Sequence, residues 1–439
     1  MFPFKNFLSC HNKLTLTKTD ATLCLGACRM TKPDLICTKC KKTFPIDRAY
    51  SRCDICHEPL EVARTTRGKI NKGNILNQTI LERYADFLPL SEIDTATSLH
   101  EGFTPLVSSS RLSSELGIKN ILFKNESQNP TWSFKDRGTV TGIHHAIRLG
   151  YKRIGTVSTG NMAVSVAAYG AKAGLKTFIL ISTSLPSEKL NPIAIYEPIL
   201  LRVDGDYGKL YFDSLDIGRQ KDIYFINSDA PFRVEGYKTA AFEICEQMNF
   251  EVPEYVVVPT SSGGNMRGIL KGFEEFRLCG LITKVPKMVC AQAIGCSPIY
   301  NAYISNAEVI SRVENPHTIA HAIENPYPPS GNEILRRVKE NGGTFVAVMD
   351  EEILQAQKQM ARIGIFAQPD SAVPLASVKK LREQNLIGEN DTVVCIVTGG
   401  GLKDTAVLEK HDLRIVSCRS ENLNKMIGDC ERFFSGEEQ

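Results

Sequence analysis

The chain has 439 residues, 42% of them hydrophobic and 23% charged, which is the composition of a globular protein with room for two or three domains. Its formal net charge of +3 is small for that length and its basic residues are interleaved with acidic ones, which excludes a nucleic-acid footprint. No apolar run approaches the roughly 18 to 20 residues of a membrane helix, so no membrane partner is expected, and 14 cysteines spread through core-like segments fit a reducing, cytoplasmic setting better than a disulfide framework.

Residues 1–30 lack the apolar block and small-residue cleavage site of a secretory signal, and they read as a poorly ordered tail or as sequence ahead of a start at Met30, with a weak organellar presequence as the alternative. Residues 31–64 hold two C-x2-C pairs, Cys37 with Cys40 and Cys53 with Cys56, separated by twelve residues. Two such knuckles satisfy a tetrahedral zinc ion that would staple a region too small to build its own core. Four protein ligands leave no open position, so the expected zinc is structural, with His57 only a neighbour.

From about Asn120 short β-branched runs alternate with amphipathic stretches. ILFK (121–124) reads as a strand, 133–150 as a helix, RIGTVS (153–158) as a strand and 161–174 as a helix ended by glycine. KTFILIS (176–182), PILLRVDG (198–205), DIYFIN (222–227), YVVVPTS, KMVCAQA, TFVAVMD and DTVVCIVTGGG continue the series of strands. Near-continuous apolar strands separated by helices predict an α/β fold with parallel sheets covered on both faces, and in such sheets ligands bind at the carboxyl ends of strands. ENPYPPSGNE (324–333) reads as a long surface loop and 405–439 as a peripheral extension, neither suggesting chemistry.

Four loops at predicted strand ends are unusual. SSGGN (261–265) presents backbone N–H groups at a helix start with no Cβ atoms in the way, a cradle for a phosphate or simply a glycine turn. In NPTWSFKDR (129–137), Lys135 falls in the first turn of a helix, where the dipole disfavours a cation and a neutral or Schiff-base nitrogen fits better. Ser158-Thr159-Gly160-Asn161 offers donors suited to a carboxylate, and Thr398-Gly399-Gly400-Gly401 follows the last strong strand.

The order of these tracts, EGFTPL, NESQNPTWSFKDRG, VSTGN, FRVEGYKTAAFEI, GGN, PKMVCAQAIGCSPI, TIAHAI, DEEILQAQ and GGGLKD, resembles the fold-type II pyridoxal-phosphate enzymes, and most closely threonine synthase, over roughly residues 95 to 404. The CxxC pairs look like the amino-terminal module of some archaeal-type members. The resemblance implies a two-domain, tryptophan synthase beta-like fold plus a small zinc-ribbon-like module. The expected division is 31–64 for that module, 65–129 with 234–404 for a large domain, 130–233 for a small one, and 405–439 as an extension. By resemblance Lys135 would carry pyridoxal 5'-phosphate as a Schiff base and serve as acid and base, Asn161 would meet the cofactor's phenolic oxygen, Gly263, Gly264 and Asn265 its phosphate, and Thr398 its ring nitrogen. Ser158 and Thr159 would receive the substrate carboxylate, and Ser228 and Arg233 the substrate phosphate. The implied reaction turns O-phosphohomoserine and water into threonine and phosphate, in a homodimer.

Four departures from the family pattern bear on the substrate: Trp132 where glycine is usual, Met162 where threonine is common, Ser261 and Ser262 in place of a Gly-Asn pair, and Gly400 in place of a histidine. They leave open a dehydratase or a β-replacement on O-phosphoserine. A catalytically dead scaffold with a partner-binding zinc module is disfavoured, because it need not keep Lys135, Asn161, the GGN turn and Thr398 together.

Overall fold

In the computed structural model, which describes residues 34–183, 187–204, 207–413 and 415–435, the alternation of strands and helices resolves into three sheets. The expected tail, 1–30, lies outside the described residues. In chain order the first strands are β1 (Leu35–Cys37), β2 (Thr43–Phe44), β3 (Leu60–Val62), β4 (Leu106–Ser108) and β5 (Asn120–Asn125). They are followed by β6 (Arg153–Val157), β7 (Lys176–Ser182), β8 (Ile199–Val203) and β9 (Tyr224–Phe225). The last four are β10 (Tyr255–Pro259), β11 (Lys287–Ala293), β12 (Thr344–Val348) and β13 (Thr392–Val397).

The largest sheet has the order β12-β11-β10-β13-β5-β4, with every pair parallel except the edge pair β4 and β5. β13 is buried at all its positions and β10 at all but its first, which is why both read as unbroken apolar runs. The second sheet, β8-β7-β6-β9, is wholly parallel. Its edge strand β8 has no buried position and carries Arg202, as an outer strand should.

The third sheet is antiparallel, β2-β1-β3, with Leu35 opposite both Phe44 and Val62. Its core is small: Leu35, Phe44, Ile46, Leu60 and Val62, closed by Phe232 from the helix Pro231–Tyr237. His145 stacks on the Phe232 ring at 3.5 Å, and its Nε2 lies 3.0 Å from the Ile46 carbonyl. Burial pushes that imidazole down to about 4, so it packs as a neutral ring. Lys271 and Arg267 donate to the Val62 and Leu60 carbonyls, fixing this sheet onto the helix Gly264–Leu278.

A buried charge cluster ties the main elements together. Arg137 donates to Glu126 and to Glu243 at 2.6 Å each, and Lys124 reaches Glu243 at 2.6 Å, all four side chains at most 3% exposed. Burial alone would raise the Glu243 carboxyl, but Arg137 and Lys124 hold it down to about 2. The cluster joins the end of β5 to the helices Lys135–Arg148 and Thr239–Gln247. Residues 405–410 form a 3-10 turn whose Val407 is buried, and Leu423–Ser435 is a helix. Among the described residues no helix is long and apolar enough to cross a membrane.

Candidate active site

Strands of both parallel sheets end on one cavity of about 370 Å³. β6 runs into Ser158, Thr159 and Asn161, β10 into Ser261 to Asn265, and β13 into Thr398, while the turn after β9 supplies Ser228. Carboxyl ends of strands are where open parallel sheets place ligands. Lys135, Ser158, Thr159, Asn161, Ser228, Gly263, Gly264, Asn265 and Thr398, all singled out in the sequence, line this one cavity.

Lys135 opens the helix Lys135–Arg148, and its Nζ lies 4.2 Å from the centre of the Phe134 ring. Desolvation, with Arg233 nearby and partly opposed by Asp370, pushes the amine down to about 7. The entering loop is stitched to the end of β13: Phe134 N–H donates to the Thr398 carbonyl at 3.0 Å, and Gly400 N–H to the Trp132 carbonyl at 3.1 Å. Thr131 donates through its backbone and hydroxyl to Asp136, at 2.7 and 2.6 Å. With Arg137 locked in the charge cluster, the first turn of this helix is held from several directions and Lys135 is presented at a fixed place.

Arg233 does not line the cavity. Its guanidinium is fully buried behind Lys135, donating to the Tyr237 hydroxyl at 2.6 Å, to Thr139 at 3.0 Å and to the Lys135 carbonyl at 3.2 Å. From there it acts on the lysine through charge.

At the glycine turn, Gly263 has φ +94°, a left-handed conformation that glycine adopts at little cost. A Cβ on Gly264 would stand 2.4 Å from the Ser228 carbonyl oxygen, so the turn packs directly on the backbone beside Ser228. The first N–H groups of the helix Gly264–Leu278 have no acceptor within the helix, and the buried Asn265 Nδ2 has no partner at all. Asn161 Nδ2 donates to Gln368 at 2.7 Å, and the Thr398 hydroxyl to Asp370 at 3.0 Å with Ser371 2.9 Å away.

The segment 324–333, read as a long surface loop without chemistry, is a loop only through Ser330, where the helix Gly331–Glu340 takes over, and it lies at the cavity. Glu324 to Tyr327 and Pro329 line the cavity, and Ser330 N–H donates to the Ser262 carbonyl at 3.1 Å, folding the segment over the glycine turn. Its polar, proline-rich composition gave no hint, because its role depends on contacts far away in sequence. Asp370 was also missed: it lines the cavity with its carboxyl raised by burial, at the start of the helix Pro369–Glu383. Of the four departures, Met162 and Ser261 with Ser262 line the cavity, whereas Trp132 and Gly400 lie outside it. Trp132 is 56% exposed with φ +59°, a conformation in which glycine is at ease and tryptophan is not.

The four cysteines of the small sheet come together, their Sγ atoms all within 4.8 Å of one another. Cys37 and Cys56 approach to 3.4 Å, and Cys40 and Cys53 to 3.6 Å. The two knuckles repeat one geometry: the residue after each pair, Lys41 and His57, is left-handed and donates its N–H back to Cys37 and Cys53 respectively.

Two largely parallel sheets meeting at a cavity that holds a lysine of low basicity and a glycine turn at a helix start define an α/β enzyme of the cofactor-binding kind. Residues 97–399 match the family described as pyridoxal-phosphate dependent enzyme. Threonine synthase of Methanocaldococcus jannaschii is 41% identical over 84% of this chain and 92% of that protein, and threonine synthase of Mycobacterium tuberculosis is 35% identical over 74% and 88%. Maize serine racemase shares the fold with a TM-score of 0.61 at 20% identity, covering 70% of this chain and 91% of that one. The chain belongs to the pyridoxal-phosphate dependent enzymes, among the threonine synthases.

Proposed function

We propose that the chain converts O-phospho-L-homoserine and water into L-threonine and phosphate, using pyridoxal 5'-phosphate. The observation that carries this reading is the convergence of Lys135, Asn161, the Gly263-Gly264-Asn265 turn and Thr398 on one cavity in a chain of this family. The residues fit the cofactor. Unpaired N–H groups and the orphaned Asn265 amide suit its phosphate, and a glycine pair keeps that turn free of Cβ atoms. Pyridoxal phosphate, when bound, supplies an electron sink for charge developing next to the substrate's amino-bearing carbon.

The protein's own part follows from its geometry. An amine pushed down to about 7 is largely neutral at physiological pH, so Lys135 can bind a carbonyl covalently and, once free, take and return protons at Nζ. Asn161, held by Gln368, orients the cofactor's phenolic side, and Thr398, held by Asp370 and Ser371, its ring nitrogen. Ser158 and Thr159 meet the substrate carboxylate beside the start of the helix Asn161–Lys172. Ser228 meets the substrate's phosphate, with Arg233 adding positive charge from behind Lys135. Enclosure by the 324–330 segment limits water until it is needed.

We assign a structural zinc to Cys37, Cys40, Cys53 and Cys56. Zinc–sulfur bonds of about 2.3 Å put tetrahedral sulfur atoms roughly 3.8 Å apart, close to the spacings observed. The working units are the zinc-ribbon-like module 31–64, a small domain 130–233, and a large domain of 65–129 with 234–404. A homodimer in the cytoplasm completes the reading, to be checked by light scattering and fractionation.

The test is a product assay on the cofactor-loaded protein. O-phosphohomoserine should give phosphate and threonine in equal amounts, with O-phosphoserine and threonine as parallel substrates. Release of 2-oxobutyrate from threonine, or turnover of O-phosphoserine alone, would overturn it.

A further inference from the structure

A single guanidinium joins the cysteine module to separate walls of the cavity. Arg52, the residue before Cys53, donates from Nη1 to Asp229 at 2.6 Å, from Nη2 to the Pro329 carbonyl at 2.9 Å, and from Nε to the His57 carbonyl at 2.7 Å. Its guanidinium carbon also sits 5.8 Å from the centre of the Phe212 ring. Asp229 is fully buried and accepts a second hydrogen bond from the Tyr211 hydroxyl. Tyr211, Phe212, Ser228 and Pro329 all line the cavity.

These contacts have consequences for shape. A buried carboxylate needs its cationic partner, so Asp229 is held where Arg52 holds it. Ser228 precedes Asp229 in a turn closed by the Ala230 N–H to Asn227 carbonyl bond at 3.1 Å, so displacement of Asp229 displaces Ser228. Pro329 precedes Ser330, which is bonded to Ser262 at the entrance to the glycine turn. The planar fork of arginine fixes both directions at once, which a lysine ammonium does not reproduce.

We infer that Arg52 is a positioning residue for the reaction: it clamps the Ser228 turn to the 324–330 segment across the cavity and so makes the cysteine module part of the substrate site. The inference rests on the proposed reading in which Ser228 meets the substrate's phosphate. It extends that reading by giving the module a task beyond stabilising itself.

The experiment compares the wild-type holoenzyme with Arg52→Met and Arg52→Lys. The lysine variant keeps a positive charge beside Asp229 and is the one read if the methionine variant does not fold. Steady-state kinetics with O-phosphohomoserine are measured together with amide hydrogen exchange over 227–230 and 324–330. The expected result, in either variant well below its melting temperature, is a KM raised by about tenfold with kcat changed far less, and faster exchange in both segments. A variant that merely melts earlier, with wild-type KM and wild-type exchange in the two segments, overturns the clamp. A raised KM with unchanged exchange overturns it as well. If the wild-type enzyme does not turn over O-phosphohomoserine, the functional reading fails separately, and the exchange comparison still decides whether Arg52 holds the two segments.

Discussion

Lys135 shows how one residue's chemistry is set by its surroundings. Burial, the start of a helix and the Arg233 guanidinium all disfavour its charged form, bringing the amine to about 7 from the usual range near 10.5. Below that point the amine carries a proton and is not nucleophilic. Reductive labelling of the cofactor-free protein with pyridoxal phosphate should therefore rise with pH through about 7 and then level off, with the label on the peptide holding Lys135; a rise centred near 10 would show an ordinary lysine. Gly264→Ala should weaken cofactor binding by about tenfold or more, because its Cβ would meet the Ser228 backbone, measured by titration of visible absorbance. Trp132→Gly should leave KM within about twofold of wild type, since the side chain lies outside the cavity and only its left-handed backbone links it to the family's glycine.

At the scale of elements, the small antiparallel sheet and the helix Lys135–Arg148 both depend on partners distant in sequence. β1 to β3 are two or three residues long and enclose little apolar surface, so docking onto the helices Pro231–Tyr237 and Gly264–Leu278 holds them, and the zinc proposed for the four cysteines would add to it. Cys53→Ser should lower the melting temperature by several degrees and release bound zinc, as read by calorimetry and metal analysis. Arg137→Met leaves Glu126 and Glu243 buried without their main cation and should cost about 3 to 5 kcal/mol in denaturant unfolding. Strands were readable from sequence because burial on both faces leaves an unbroken apolar run. KTFILIS and KMVCAQA were placed residue for residue. β4 was not, because a three-residue antiparallel edge strand with no buried position has no such signature. The 324–330 segment was misread for a related reason: its hydrogen bonds and cavity contacts come from packing, and nothing periodic in its sequence announces them.

For the molecule as a whole, the candidate site was legible where chemistry requires a rare residue at a strand end, as with Lys135, Asn161, the GGN turn and Thr398. It was illegible where one side chain acts through another. Arg52 reaches the site through Asp229 and Pro329, and Asp370, which lines the cavity, holds the Thr398 hydroxyl; Arg233 was singled out in the sequence, but its place behind Lys135 was not readable there. These couplings join both parallel sheets and the cysteine module around one cavity, and the reaction proposed for it has a specific atomic outcome. Phosphate leaves the γ-carbon with its bridging oxygen, and the new hydroxyl on the β-carbon comes from water. Turnover of O-phosphohomoserine in oxygen-18 water, followed by mass spectrometry, tests this directly. Threonine should carry one heavy oxygen in its hydroxyl and phosphate none; homoserine with labelled phosphate, the products of simple ester hydrolysis, would refute the proposed reaction.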